Sequence, residues 1–188
     1  MLEQIKQLDQ DFFLYLNSKH SLIGDIFMGF LSDKYAWLPF YALMLIFLVF
    51  HYRAKVLFVL IALVLTVILS DQFASSICKP FFARLRPSHE PDLAGFVHTI
   101  YGYYGGKYGF ISSHAANVFG VATLLFLLLR KQYSFTWLIF IWAAVVSYSR
   151  IYLGVHYPLD ILFGGITGIL WATLIHKIYR RVIPKHIQ

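Results

Sequence analysis

Three separated patches of this 188-residue sequence carry side chains suited to binding an anion and moving protons. The first patch spans residues 79–87 and contains three cations, Lys79, Arg84 and Arg86, ahead of Pro87. Taken alone, these cations also fit snorkelling side chains that contact lipid headgroups. Anion binding is the more specific interpretation, and it depends on what the other two patches contain.

The second patch, residues 110–117, has two adjacent serines and a histidine at the start of an apolar run. Ser112 or Ser113 can cap a helix there, and the free N–H groups of a helix N-terminus form an anion site. His114, in the first turn, can donate a proton to a bound group. An ordinary serine cap followed by a histidine at headgroup level is the alternative.

The third patch, residues 149–160, places His156 four residues before Asp160. Pro158 suits the first position of a helix, which leaves Asp160 in its first turn. A carboxylate there can hold one imidazole nitrogen as N–H and leave the other as a lone pair, as a histidine nucleophile or base requires. An interfacial Asp–His pair is the alternative, although ionisable residues near hydrocarbon suggest function.

The composition indicates an integral membrane protein. Hydrophobic residues make up 59% and charged residues 13% of the chain, against roughly 25% charged residues in soluble domains. The mean hydropathy of +0.66 leaves too few polar side chains to cover a soluble surface. The single cysteine, Cys78, excludes an intramolecular disulfide and lacks the paired spacing of a zinc or redox motif.

Five apolar stretches are long enough to cross a hydrocarbon core about 30 Å thick. They are residues 35–52, 56–78, 113–129, 133–148 and 159–178. The second should end near Cys78, because Pro80 would remove a helical hydrogen bond. The sequence therefore predicts an all-α integral membrane helical bundle of about five transmembrane helices, forming one domain over residues 1–188.

Residues 1–34 have a different pattern. Apolar residues recur at helical spacing between polar ones, which indicates an amphipathic helix lying in the interface: Leu2, Ile5, Leu8, Phe12 and Leu16. Residues 20–32 are apolar enough to dip into the bilayer, but they are too short to cross it and contain Asp25. No cleavable signal peptide is expected, because the start lacks a basic region followed by an apolar run.

The net charge of +7 fits nucleic acid, anionic lipid or retained cytoplasmic loops, and its distribution favours the loops. Alternating helices give one side eight cations and no acid, namely Arg53, Lys55, Arg130, Lys131, Lys177, Arg180, Arg181 and Lys185. Retained loops are rich in Lys and Arg, so this side should be cytoplasmic. The 71–112 connection should then be an extracytoplasmic loop, and its aromatic and glycine content favours an ordered one.

All three patches should lie at that outer surface, because each adjoins the outer end of a predicted span. Small residues spaced four apart would let the third and fifth spans pack closely: Ala116, Gly120, Gly164, Gly168 and Ala172. If these two faces meet, His114 and His156 approach each other.

The combined series is Lys79-x6-Arg86-Pro87, Ser112-Ser113-His114 and Ser149-Arg150-x5-His156-x3-Asp160. It resembles the three-part signature of the type 2 phosphatidic acid phosphatase superfamily over about residues 54–178. That family includes bacterial undecaprenyl pyrophosphate phosphatases and lipid A phosphatases, and it shares its core with vanadium haloperoxidases. One departure is the second patch, where the family usually has Pro-Ser-Gly-His and this chain has Ile111 and Ser113 in place of the Pro and Gly.

The resemblance implies a role for each matched residue. His156 would attack phosphorus to give a phosphohistidine, Asp160 would orient it, and His114 would protonate the leaving oxygen and later activate water. The phosphoryl oxygens would be held by Lys79, Arg86, Ser112, Ser113 and Arg150. Phosphoryl transfer depends mainly on positioning and charge stabilisation, so no metal or other cofactor is expected.

Other polar residues of the outer connection receive no role in this prediction. Arg84 and Lys107 are expected to contact headgroups or solvent. A metal cluster is improbable because the candidate ligands lack tight spacing: His89, Glu90, Asp92 and His98.

The expected function is dephosphorylation of a membrane lipid phosphate or diphosphate at the outer face of the cytoplasmic membrane. Undecaprenyl diphosphate is the favoured substrate; phosphatidate, phosphatidylglycerol phosphate and lipid A remain open. The expected partners are the lipid substrate and the bilayer, with no nucleic acid and no obligate protein partner. A non-catalytic transporter or scaffold is the alternative, but transport would favour midspan charges and inverted repeats, and neither is found. A vanadate-dependent oxidase suits a lipid surface poorly.

Overall fold

The computed structural model describes residues 1–182. Residues 183–188, including the Lys185 of the predicted cytoplasmic tail, lie outside this range. Within it the chain forms helices, turns and loops, and β-structure is limited to one isolated antiparallel bridge between Leu85 and Tyr108. The all-α prediction is therefore confirmed for the described part of the chain.

The α-helices of residues 1–182 follow the predicted apolar stretches closely. They are α1 (Leu2–Asn17), α2 (Leu22–Ser32), α3 (Leu38–Tyr52), α4 (Val56–Gln72), α5 (Lys79–Phe82), α6 (Ser113–Leu129), α7 (Ile139–Tyr152) and α8 (Pro158–Val182). Three stretches are long and apolar enough to cross a membrane, namely Leu38–Phe82, Ser134–Tyr152 and Pro158–Val182. Two further helices, α2 and α6, are apolar but shorter. The chain is thus a multi-pass membrane protein.

The second predicted span continues beyond its expected end. After α4 the chain passes through a π-helix, Phe73–Cys78, directly into α5, whose first turn contains Pro80. Pro80 removes one hydrogen bond from this continuous helix, and it does so where the π-helix already replaces the regular α-helical bonding. Lys79 consequently lies on a helix, and residues 79–82 are helical beyond the predicted end of the span at Cys78.

The remaining loop, residues 83–112, is ordered by main-chain hydrogen bonds. The N–H of Arg86 donates to Lys107 O at 3.1 Å, and the N–H of Gly109 donates to Arg84 O at 2.9 Å. A third bond, from the N–H of Ser88 to Gly154 O at 3.0 Å, ties this loop to the turn between α7 and α8. These contacts hold the first and third patches against each other.

Helices α6 and α8 pack closely through small residues, as predicted. A Cβ built on Gly168 would collide with the main-chain oxygen of Ala116 and would lie 2.8 Å from the N of Gly120. Nearer the site, a Cβ on Gly164 would lie 2.5 Å from Ser112 O. The main chains touch, which brings the start of α6 beside the start of α8.

Helix α1 packs against the protein through a face that contains two polar residues, Asp9 and Asn17, beside Phe13. Leu8 and Phe12 point outward and are 68% and 53% exposed, whereas Phe13 and Asn17 are buried. The Nδ2 of Asn17 donates to the main-chain oxygens of Ile151 and Tyr152, at 3.2 and 2.9 Å. The helix is therefore docked on the end of α7, a contact that the apolar pattern did not predict.

Candidate active site

His156 and Asp160 form a buried pair at the start of α8, which begins at Pro158 as predicted. The Nδ1 of His156 lies 3.3 Å from Asp160 Oδ2, and neither side chain is more than 1% exposed. The N–H of Tyr157 donates to the same oxygen at 3.0 Å and fixes the rotamer of Asp160. With Nδ1 held by the carboxylate, Nε2 is the imidazole nitrogen left for a substrate.

The second patch lies beside this pair. Ser112 is the N-cap of α6, its Oγ accepting from the N–H of Ala115 at 3.3 Å. Its own N–H donates to Asp160 O at 3.0 Å, which ties the start of α6 to the first turn of α8. The side chain of His114, the next helical residue but one, is exposed. It lies near enough to His156 for their charges to interact.

Ser113 does not serve as the cap. Its Oγ accepts a hydrogen bond from Lys79 Nζ at 2.5 Å and lies 3.0 Å from the hydroxyl of Ser75. The serine at this position therefore holds the ammonium group of α5 against the N-terminus of α6. A glycine, which the family usually has here, could not do so.

The other two predicted cations are also held by neutral groups. Arg86 Nε donates to Tyr108 O at 3.1 Å. Arg150 donates to the hydroxyl of Ser32 through Nη1 and to the Tyr103 hydroxyl through Nη2, the latter at 3.1 Å. Its Nε is buried and lacks a partner among the described residues.

No carboxylate of the described chain forms an ion pair with Lys79, Arg86 or Arg150. Yet Arg86 and Arg150 are only 8% and 2% exposed, and a buried charge without a counter-ion is costly. Three cations without counter-ions surround one imidazole. This positive charge would be balanced by a bound anion.

The cations also set the state of the histidine. Burial lowers the pKa of His156 well below its ordinary value of 6.5, and the positive charges of Arg86, Arg150 and Lys79 lower it further. Burial likewise lowers the pKa of Arg86, with the nearby charge of Arg150 contributing. An empty site therefore contains a neutral imidazole, the form that can act as a nucleophile.

A cavity of about 490 Å³ opens on the His114 side of the cluster. It lies between the end of α2, the outer loop and the start of α6. Its polar and aromatic lining includes Ser32, Asp33, Lys34, Tyr101, Tyr103 and His114. This cavity is large enough for a polar group attached to the phosphate.

The sequence prediction for Arg84 was wrong. Its guanidinium pairs with Asp160 Oδ1 at 3.1 Å and with Asp9 Oδ2 at 2.7 Å, and the side chain is 19% exposed. Asp9 is one of the polar residues between the apolar positions of the predicted interfacial helix. The available signal was the spacing of Asp9, Phe13 and Asn17, which recur every four residues of α1 and are all buried.

The histidines outside the motifs have other partners. The Nε2 of His98 lies 2.9 Å from Asp25 Oδ1, and its ring stacks on His20 with centroids 3.9 Å apart. The Nδ1 of His89 lies 3.2 Å from the hydroxyl of Ser88. The contacts of His98 join the outer loop to the start of α2.

Comparison with known proteins identifies the family of this chain. The model of the PAP2 superfamily matches residues 55–184, which include all three patches. The chain therefore belongs to the PAP2 superfamily, as the resemblance implied, and is a membrane phosphatase of that family.

Similar proteins cover nearly the whole chain. It is 40% identical to the lipid A 4'-phosphatase of Porphyromonas gingivalis over 95% of its length and 75% of that protein. It is 38% identical to the lipid A 4'-phosphatase of Bacteroides thetaiotaomicron, over 97% and 83% of the two chains. An undecaprenyl-diphosphatase of Sulfolobus acidocaldarius is 32% identical over 76% of this chain and 63% of that protein.

Two solved structures share the fold. The crystal structure of Aquifex aeolicus LpxE has a TM-score of 0.68 at 28% identity, covering 90% of this chain and 95% of that one. A transmembrane PAP2-type phosphatidylglycerolphosphate phosphatase from Bacillus subtilis has a TM-score of 0.70 at 21% identity, covering 97% and 89%. The helical arrangement is thus that of PAP2 membrane phosphatases.

Proposed function

We propose that this protein removes a phosphate group from a membrane lipid through a phosphohistidine on His156. The observation that carries the proposal is the group of three cations without carboxylate partners around the buried His156–Asp160 pair. Such a cluster binds a phosphoryl group by charge and leaves a nucleophile in contact with it. The positive charge that a metal supplies in other phosphatases comes here from Lys79, Arg86 and Arg150.

In the first step, Nε2 of His156 attacks phosphorus and the bond to the leaving oxygen breaks. The negative charge on Asp160 stabilises the imidazolium that forms, because it accepts the hydrogen bond from Nδ1–H. Arg150 and the other cations hold the phosphoryl oxygens, together with the hydroxyls of Ser112 and Ser113 and the N–H groups at the start of α6. Desolvation within the cavity and the charges of the nearby cations lower the pKa of His114 to about 2, so His114 takes up a proton only from or with the bound phosphate group. It then gives this proton to the leaving oxygen.

In the second step, His114 takes a proton from water, and the resulting hydroxide attacks the phosphohistidine. The P–N bond breaks, neutral His156 returns, and inorganic phosphate leaves. Each histidine regains its starting state, so the cycle consumes only water.

The proposed substrate is a lipid whose phosphate is attached to a sugar, as in lipid A. Two relatives about 40% identical over almost the whole chain are lipid A 4'-phosphatases. The cavity beside His114 would hold the leaving group, and its hydroxyl, carboxylate and ammonium groups suit sugar hydroxyls and a second anionic group. Undecaprenyl diphosphate, favoured by the motifs alone, is the second candidate, supported by the undecaprenyl-diphosphatase relative.

The proposed arrangement has five membrane spans, formed by α3, by α4 with α5, and by α6, α7 and α8. Helix α1 would lie in the interface with Leu8 and Phe12 in lipid, while α2 dips into the headgroup region. The basic turns at residues 53–55 and 130–131 would be cytoplasmic. The site would then face the outer side of the cytoplasmic membrane, which is the periplasm in a Gram-negative cell.

The test is release of phosphate from purified lipid A and from undecaprenyl diphosphate in detergent, with EDTA present. Wild-type protein should act more efficiently on lipid A, and His156→Ala should lose at least about 10³-fold in kcat. His89→Ala, which changes a histidine of the outer loop, is the matched control and should retain activity. Phosphate from labelled substrate should be trapped on wild-type protein as an acid-labile adduct.

Four results would contradict the proposal in different ways. Equal release by wild type and His156→Ala would remove the assignment of the nucleophile. Loss of activity in EDTA would exclude a mechanism based on side-chain cations alone. Higher efficiency on the prenyl diphosphate would reverse the order of the two substrates. Binding of lipid without release of phosphate would favour a non-catalytic transporter or scaffold.

A further inference from the structure

Arg84 lies between two carboxylates that belong to opposite ends of the chain. Its Nη1 donates to Asp160 Oδ1 at 3.1 Å, and its Nη2 donates to Asp9 Oδ2 at 2.7 Å. Arg84 is the cation of the first patch that forms ion pairs, whereas Lys79 and Arg86 have no carboxylate partner among the described residues. Its charge is therefore balanced inside the protein and is not offered to a substrate anion.

The guanidinium is held in one orientation. Its Cζ lies 3.9 Å from the centre of the Tyr157 ring, which lies below it. The other partner of that ring is Phe13 of α1, in an edge contact with centroids 5.4 Å apart. The stacking on an aromatic ring already restricts the guanidinium, so little conformational entropy is lost when it binds a carboxylate.

The second carboxylate, Asp9, connects α1 to the same place by another route. Its Oδ1 accepts a hydrogen bond from the N–H of Leu159 at 2.9 Å, in the first turn of α8. Asp9 is only 5% exposed. One aspartate thus holds both the arginine and the helical turn that carries Asp160.

The two oxygens of Asp160 have separate tasks in this arrangement. Oδ2 faces the Nδ1 of His156 and the N–H of Tyr157, at 3.3 and 3.0 Å. Oδ1 faces Arg84 alone among the side chains of residues 1–182. Without Arg84, one side of a fully buried carboxylate would lose its partner, and its hold on His156 would loosen.

We infer that Arg84 and Asp9 are positioning residues for the histidine nucleophile, and that α1 is a working part of the active site. Asp9 holds Arg84, Arg84 holds Asp160, and Asp160 orients His156. The inference rests on the proposed role of His156, and it adds two residues that lie outside the three motifs. Neither residue touches the phosphoryl group.

The experiment compares Arg84→Gln and Asp9→Asn with matched controls in the same lipid phosphatase assay. Lys107→Gln removes a cation from the same loop, and Asp11→Asn removes an exposed carboxylate from the same helix. We expect the first two variants to lose about 10- to 100-fold in kcat, since small displacements of a reacting group cost this much. Their KM should change less than about threefold, and both controls should match wild type.

A double-mutant cycle separates positioning from general damage to the fold. In the Asp160→Asn background, Arg84 keeps its contact with Asp9 but no longer has the Asp160 carboxylate to orient. Arg84→Gln should therefore cost less than about twofold there, because coupled residues are not additive. If Arg84→Gln does not yield folded protein, Arg84→Lys keeps the charge beside Asp9 but loses the fork, and the same cycle applies.

Three results would overturn the inference. Wild-type kcat in both Arg84→Gln and Asp9→Asn would show that neither positions the nucleophile. A rise in KM with kcat retained would instead make Arg84 a substrate ligand. An equal loss in the wild-type and Asp160→Asn backgrounds would show a role that does not pass through Asp160. In each case His156→Ala would still be inactive, whereas an active His156→Ala would overturn the proposed function itself.

Discussion

Gly109 lies against the carboxylate of Asp160. A Cβ built on this glycine would be 2.9 Å from Asp160 Oδ2 and 3.6 Å from the Nδ1 of His156. The main chain of the outer loop thus forms one wall of the active site. Its position is fixed by the hydrogen bond from the N–H of Gly109 to Arg84 O at 2.9 Å.

Gly109→Ala should therefore impair catalysis. The added methyl group is too close to Asp160 Oδ2, and the carboxylate or the loop must shift by a few tenths of an ångström or more. We expect a loss of about 10- to 100-fold in kcat, measured as phosphate release. Gly106→Ala is the control, because a Cβ on Gly106 has no heavy atom within 4 Å. Equal activity of the two variants would contradict this account of the loop.

His156 should stay neutral in mildly acidic solution. Burial first, and then the charges of Arg86 and Arg150, lower its pKa well below 6.5. A lowered pKa means that protonation, and loss of the nucleophile, begins only at a correspondingly lower pH. NMR of protein labelled at histidine, with the signal assigned by His156→Ala, should show no titration between about pH 7 and about pH 6. Titration at the ordinary histidine value would contradict the prediction.

Tyr103→Phe should weaken catalysis by releasing one end of Arg150. The Tyr103 hydroxyl accepts a hydrogen bond from Nη2 of this arginine at 3.1 Å. Hydrogen bonds to charged groups contribute about 1.5 kcal/mol, which corresponds to about tenfold in kcat/KM. Tyr104→Phe is the matched control, since its hydroxyl has no hydrogen-bond partner within residues 1–182. A smaller loss for Tyr103→Phe than for Tyr104→Phe would count against a fixed Arg150.

Gly168→Ala should destabilise the bundle. Its Cβ would collide with the main-chain oxygen of Ala116, so α6 and α8 would have to separate. Overpacking of this kind costs roughly 1–3 kcal/mol, visible as a lower thermal unfolding temperature in one detergent. Gly29→Ala provides the comparison, because its Cβ would make ordinary contact with the Tyr101 ring at 3.9 Å. No difference between these variants would contradict the close packing.

The features predicted correctly from the sequence are those that follow from short, regular spacings of residues. His156 and Asp160 are four residues apart, and Pro158 fixes where the helix begins, so the pair follows from the spacing. The contact between α6 and α8 follows from small residues at helical spacing. The first feature depends on spacing within one helix, and the second on small residues that recur every four positions in each of two helices.

Contacts between distant segments could not be predicted in the same way. Arg84 meets Asp9 across 75 positions of sequence, and no periodic pattern connects them. The docking of α1 was missed for a related reason, because Leu8 and Phe12 of its apolar pattern face outward and its buried face contains Asp9 and Asn17 beside Phe13. In a membrane protein, apolar periodicity identifies the lipid-facing side as readily as the core.

The π-helix Phe73–Cys78 determines the direction in which the Lys79 side chain of the first motif points. Its wider winding inserts one residue into the α4–α5 stretch, and one residue corresponds to about 100° of rotation about the axis. Deleting a single residue there would restore regular winding and swing the ammonium of Lys79 away from Ser113. All residues of the three motifs would remain after that deletion. A homologue can therefore keep the full signature and still lack an anion site, because its lysine points in another direction.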